Sequence, residues 1–186
     1  MLAHLYFGTG SSNIARLQIL SRSGREFDVG NRAKGMAQKD ITEFFCCFQN
    51  CCLFRAFFTR SQPGSMDPWD GYGEEREEIF SFIEEKKIEG VLLIAADRHR
   101  IDLRKTVRPQ GYDLFEFVSG RLTNRHIHPV VKTEGLIWGY NESCGYGLLR
   151  FDTRVKNPSV VLESYDMEAR KLFSFEIKAS ELTFNR

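Results

Sequence analysis

The sequence has almost no net charge: 26 Lys and Arg stand against 25 Asp and Glu, giving a formal +1 and a pI near 7.6. Sequence-independent binding to nucleic acid draws on a strong positive excess, so no nucleic-acid partner is expected. Long apolar runs are lacking as well. The most apolar stretch, Phe44 to Phe58, is broken by Gln49, Asn50 and Arg55 and is too short to cross a bilayer, so no membrane span is expected. The opening MLAHLYFGTG has neither the basic region nor the sustained apolar core of a secretory signal, and no twin arginine precedes it. No export signal is read and no compartment is assigned. A spaced disulfide framework is also missing. Cys46, Cys47, Cys51 and Cys52 crowd one stretch and Cys144 stands alone. Pairs set so close suit tetrahedral zinc poorly, which leaves reduced, buried or incidental thiols.

What is present is a chain of 186 residues, 42% apolar, enough for one globular domain with a core. From Met1 to Pro63 there is neither a helical stripe nor strict alternation. Helical turns are read at Asn13 to Ile19 and between Ala37 and Phe58, where Asp40 or Thr42 would cap the second. The character changes at SQPGSMDPWDGYGEER, whose prolines and glycines enforce turns. This divides the chain into a weakly patterned segment, 1–63, and an organised domain, 64–186.

Glu74, Glu75, Glu77 and Glu78 favour the positive end of a helix, and Lys86 and Lys87 its negative end, with Gly90 as the stop. Ile79, Phe82 and Ile83 follow i, i+3, i+4 spacing and form the face to be buried, widened by Phe80. VLLIAAD, Val91 to Asp97, is a short continuous apolar run of the kind buried on both faces in α/β folds. YDLFEFVSG, LIWGY, YGLLRFD, SVVLESYD and KLFSFEIKA then read as strands, the last two as a hairpin. The fold class is α/β: a helix on a mixed sheet with several antiparallel C-terminal strands.

Asp97 and His99 fall just past the carboxyl end of the buried strand, where open α/β sheets place ligands. Carboxylate and imidazole two residues apart suit a Lewis-acidic metal, and Arg98 between them could pair with phosphate through its planar fork. From spacing alone, a capping Asp and an ordinary polar His are the simpler meaning. His126 and His128 alternate on an extended segment and would share one side of it, as a second metal-binding pair or bordering a phosphate pocket with Thr123 and Asn124; an exposed turn is the simpler meaning. Trp69 and Tyr72 could wall a substrate pocket, whereas Asp70 reads as a helix cap. Trp138 and Tyr140 read as sheet packing.

The ordered string DPWDGYGEEREEIFSFIEEKKIEGVLLIAADRH, followed by YDLFEFVSGRLTN, resembles the C-terminal part of PhoD-like alkaline phosphatases, over about residues 66–186. Trp69, Gly71, Tyr72, Arg76, Asp97, His99, Thr123 and Asn124 carry the match. The resemblance implies part of a metallophosphoesterase-like layered fold. It also implies hydrolysis of phosphomonoesters or phosphodiesters, and a dinuclear metal centre, often iron with calcium. By resemblance Asp97 and His99 are metal ligands.

Two departures bear on activity. Ala96 stands where the family has glycine, and the family's upstream ligand motifs find no counterpart between Met1 and Pro63. Two side chains do not fix a dinuclear site. The expectation is therefore a metal-dependent phosphoester hydrolase that is incomplete in itself, with a partner chain to complete the site; the alternative is a non-catalytic interaction domain derived from the phosphatase fold. Such phosphatases are often exported.

Overall fold

Strand β5, Val91–Ala95, is five consecutive apolar residues, all buried, and the rest of the fold is organised around it. A computed structural model describes residues 72–95, 98–123 and 125–184 in full. Nearer the N-terminus it describes the strand backbones β1 (Leu5–Tyr6), β2 (Gln18–Ile19), β3 (Cys46–Phe48) and β4 (Cys51–Arg55). The remaining elements are α1 (Gly73–Glu85), β6 (Ile101–Thr106), β7 (Leu114–Ser119), β8 (Leu136–Tyr140), β9 (Gly145–Asp152), β10 (Ser159–Asp166), β11 (Lys171–Lys178) and a 3-10 turn, Ala179–Leu182. The chain is thus α/β, with one α-helix among the described residues.

The principal sheet has the order β3-β4-β5-β7-β6-β8. Strands β4, β5 and β7 run parallel, while β6 is antiparallel to both of its neighbours. The carboxyl ends of β4, β5, β7 and β8 therefore share one edge. The sheet draws β3 and β4 from the N-terminal side of residue 63. These strands lie where helical turns were expected between Ala37 and Phe58, and β2 likewise occupies part of 13–19; pairing with a distant strand overrides weak local preference. Cys47 and Cys52 are paired positions of the β3–β4 ladder. Cys144, the one cysteine whose side chain is described, is free.

The second sheet, β11-β10-β9, contains the expected hairpin, with Val160 opposite Ile177 and Leu162 opposite Phe175. It covers one face of the principal sheet. Phe117 and Leu103 of that face join Leu149, Leu162 and Ile177 in a single buried cluster. Gly147 is glycine because a Cβ there would stand 2.5 Å from the Phe117 ring, and its N–H donates to Ser119 Oγ at 2.8 Å. Trp138 of β8 stacks on Phe173 of β11 at 4.5 Å between centroids, which fits the packing role expected for it.

Helix α1 contributes Phe80 and Ile83 to the same core, with Ile79 packed against it, whereas Phe82 is only half-buried. Its N-cap is Tyr72, whose side chain makes no capping hydrogen bond; Asp70, the cap expected from sequence, lies outside the described residues. The helix ends before Gly90: Lys86 is the C-cap and Lys87 takes φ 52°. Gly90 instead sits at φ 76° and donates its N–H to Leu182 O at 2.8 Å, setting the start of β5. Among the described residues no helix is long and apolar enough to cross a membrane.

Candidate functional site

Strand order dictates what meets at the carboxyl edge. Because β7 lies between β5 and β6, the link from β5 to β6 must step across the end of β7. That link carries Arg98 and His99. The crossing is tight: a Cβ on Gly120, just past β7, would lie 2.5 Å from Arg98 O, and Gly120 N–H donates to Arg100 O at 3.2 Å. His99 is thereby set over the strand whose own continuation carries His126 and His128.

That continuation has the opposite problem. Strand β8 runs in the direction of β7 but lies beyond β6, so residues 120–135 return across the face of β6 without a helix to satisfy their backbone. Carbonyls laid on a sheet face need donors. Strand β6 and the residue just before it supply them: Arg100 Nη1 donates to Pro129 O at 2.6 Å, and Arg104 donates through Nη2 to Val131 O at 2.7 Å and through Nη1 to Thr133 Oγ1 at 2.8 Å. Lys105 N–H donates to Gly135 O at 2.8 Å.

Asp102, fully buried between these arginines, accepts from Arg100 Nε at 2.7 Å and from Arg104 Nε at 3.4 Å. Burial pulls the Arg104 guanidinium below its ordinary range, the charge of Asp102 pulls it back up, and Glu116, its register partner on β7, adds to the latter. Gly139 of β8 completes the cover, since a Cβ there would meet Val130 Cγ1 at 2.4 Å and Asp102 Oδ1 at 2.8 Å. At the top of the return, Asn141 Nδ2 donates to His128 O at 3.0 Å, and Arg121 Nη1 to Asn141 O at 2.7 Å.

The outcome is a cluster of three imidazoles. One ligand atom from each of His99, His126 and His128 lies within 4.8 Å of the others, with ring centroids 4.8 to 5.3 Å apart and all three pairs edge-to-face. The side shared by His126 and His128 is as the alternation implied. His99 and His128 are half-buried and His126 is exposed. Arg98, buried, places Nη1 3.5 Å from His128 Nδ1, and a guanidinium only donates, so Nδ1 is the accepting nitrogen in that contact. Burial, then the charges of His99, Arg98, His126 and Arg100, hold His128 below the ordinary imidazole range, leaving it neutral at pH 7.

Of the other candidates, Tyr72 is exposed at the start of α1 and Thr123 is exposed after β7. Trp69, Asp70, Asp97 and Asn124 lie outside the described residues. The sequence reading missed Arg100, Asp102, Arg104 and Asn141. An available signal was the run Arg-x-Asp-x-Arg, which puts opposite charges on one face of a strand.

No curated protein matches the chain, and no solved structure matches it. A protein-family model, that of the PhoD-like phosphatases, matches residues 27–155, beginning well before the resemblance read from sequence and ending before β10. The match spans more than half of the chain and takes in β3 to β9, with both histidine-bearing links. The chain belongs to the PhoD-like phosphatase family.

Proposed function

We propose that the chain is a metal-dependent phosphoester hydrolase acting on phosphomonoesters or phosphodiesters, with Asp97 and His99 as metal ligands and Arg98 as a phosphate contact. The observation that carries the reading is a conjunction. The family match spans the β5–β6 link, and that link holds His99 and buried Arg98 at the carboxyl edge of parallel strands, where ligands of open α/β sheets bind. The two-sheet core with its edge site is read as part of a metallophosphoesterase-like fold, and 64–186 as the part of it read from sequence.

The donor set suits such a role: half-buried imidazole offers a nitrogen lone pair, and guanidinium offers a planar fork matched to two phosphate oxygens. Iron with calcium, or another dinuclear pair, would when bound polarise the phosphate and lower the pKa of an attacking water. Arg98 would orient the phosphate, His99 and Asp97 would fix the position of the cations, and Trp69, Tyr72 and Asn124 would wall the substrate. Further ligands would come from a partner chain that completes the site.

The test is hydrolysis of a chromogenic phosphodiester and phosphomonoester with added iron, calcium or manganese, beside Asp97→Asn and His99→Ala. Metal-dependent turnover lost in both variants is expected. Folded protein without turnover under any of these metals would overturn the reading and favour a non-catalytic interaction domain.

A further inference from the structure

We propose that His126 and His128 join His99 in a three-imidazole site for a borderline transition-metal cation of the Zn²⁺ or Co²⁺ class, distinct in its selectivity from any calcium-binding position. The proposal shares His99 with the hydrolase reading above and rests on it for that residue's place in the active edge. Three features of the molecule support it.

The first is convergence. A nitrogen from each ring lies within 4.8 Å of the other two. Nitrogens around a tetrahedral cation at about 2.0–2.1 Å are about 3.3 Å apart. The rings therefore need to draw together by about 1.5 Å at most, which small side-chain rotations supply. The second is preorganisation. An exposed loop would let His126 and His128 wander, but here the carbonyls of His128, Pro129 and Val131 are each gripped by a side chain, from Asn141, Arg100 and Arg104. Ligands held from beneath by buried donors are how metal sites are kept in shape.

The third is donor chemistry. The three groups that converge are all imidazole. Calcium takes oxygen ligands, whereas zinc, cobalt, iron, nickel and copper accept imidazole nitrogen. Three imidazoles leave the fourth position of a tetrahedral cation to Asp97 of the hydrolase reading, or to an anionic substrate or water beside Arg98.

The full chain, stripped of metal, would be titrated with Co²⁺, whose visible absorption reports nitrogen coordination, then challenged with Zn²⁺ and with Ca²⁺. We expect one Co²⁺ per chain, displaced by Zn²⁺ and not by Ca²⁺. His126→Ala and His128→Ala should each weaken binding at least about tenfold, as should Asn141→Ala, which removes no ligand but frees the His128 carbonyl. Urea unfolding of each variant separates loss of ligand from loss of fold; if a histidine-to-alanine variant unfolds, His126→Gln and His128→Gln carry the comparison. Absence of Co²⁺ absorption in the native chain overturns the site. So does identical absorption and affinity in the His126→Ala, His128→Ala double variant. Turnover that survives in that double variant with unchanged Co²⁺ binding removes the site and leaves the hydrolase reading intact. Histidine-dependent Co²⁺ binding without turnover does the reverse.

Discussion

Replacing Asp102 by Asn changes almost nothing in shape and removes one buried charge. Its Oδ2 receives Arg100 Nε at 2.7 Å and both Nε and Nη2 of Arg104 at 3.4 Å, and Asp102 itself is fully buried. Removing one member of such a cluster costs about 3–5 kcal/mol, because the remaining charges stay buried without compensation. Glu116, buried opposite Arg104, retains part of the balance, so the lower end, about 3 kcal/mol, is expected. With a urea slope of about 2 kcal/mol per molar, the unfolding midpoint should fall by about 1.5 M at unchanged slope. A fall under about 0.3 M would refute the reasoning. A companion variant sharpens the test: Arg100→Met, Asp102→Leu, Arg104→Met and Glu116→Leu together, which leaves no charge of the cluster buried alone, should recover part of the loss, since a packed apolar cluster substitutes well for a buried ionic one. It would still leave the Pro129 and Val131 carbonyls without their donors, so Co²⁺ binding should stay weakened.

Other expectations follow from the same geometry. Against burial, which alone would raise it, hydrogen bonds from Arg150, Lys171 and Tyr165 hold Glu163 at about 2, below its ordinary 4.5. Stability from this depressed carboxyl is fully present above pH 4.5 and lost as pH falls through about 2. It amounts to about 1–3 kcal/mol after allowing for the exposure of Arg150 and Lys171, so Glu163→Gln should flatten the acid limb of stability measured by urea unfolding. Gly120→Ala should cost about 1–3 kcal/mol in the same assay and displace the Arg98 turn, because its Cβ meets a backbone carbonyl at 2.5 Å. Trp138→Ala should cost about 2–3 kcal/mol by removing the stack on Phe173, read as a lowered thermal midpoint. If the chain turns over phosphoesters, Arg98→Ala should raise KM about 10- to 100-fold, the worth of a charged hydrogen bond; an unchanged KM would remove Arg98 as a phosphate contact.

Elements whose own residues decide them were legible in the sequence. Val91–Ala95 is apolar throughout, and β7 to β11 show apolar and aromatic runs between turn residues. Strand β6 was not seen, because Asp102, Arg104 and Lys105 make IDLRKT look solvated. Its burial depends on charges cancelling one another and on carbonyls that arrive from a segment nearly thirty residues later. Strands β3 and β4 were read as helical turns for a related reason: what makes them strands is β5, not their own sequence. Of the site, the pairing of His126 with His128 follows from alternation. Their approach to His99 does not, since it depends on β6 lying beyond β7 in the sheet.

That strand order also sets how much sequence change each link tolerates. Five residues separate Ala95 from Ile101, and the step over β7 covers two strand spacings, about 10 Å. At about 3.3–3.6 Å per residue, roughly three are consumed by the distance and two remain for turning. The shorter link is thus tuned by its length, and a one-residue deletion there should pull His99 off the edge. The longer link has length to spare and is tuned by its anchors, so residues added between Arg121 and Arg125, ahead of the gripped carbonyls, should be absorbed as a surface loop. Natural variation in chain length should accordingly gather on one side of the imidazole cluster and be scarce on the other.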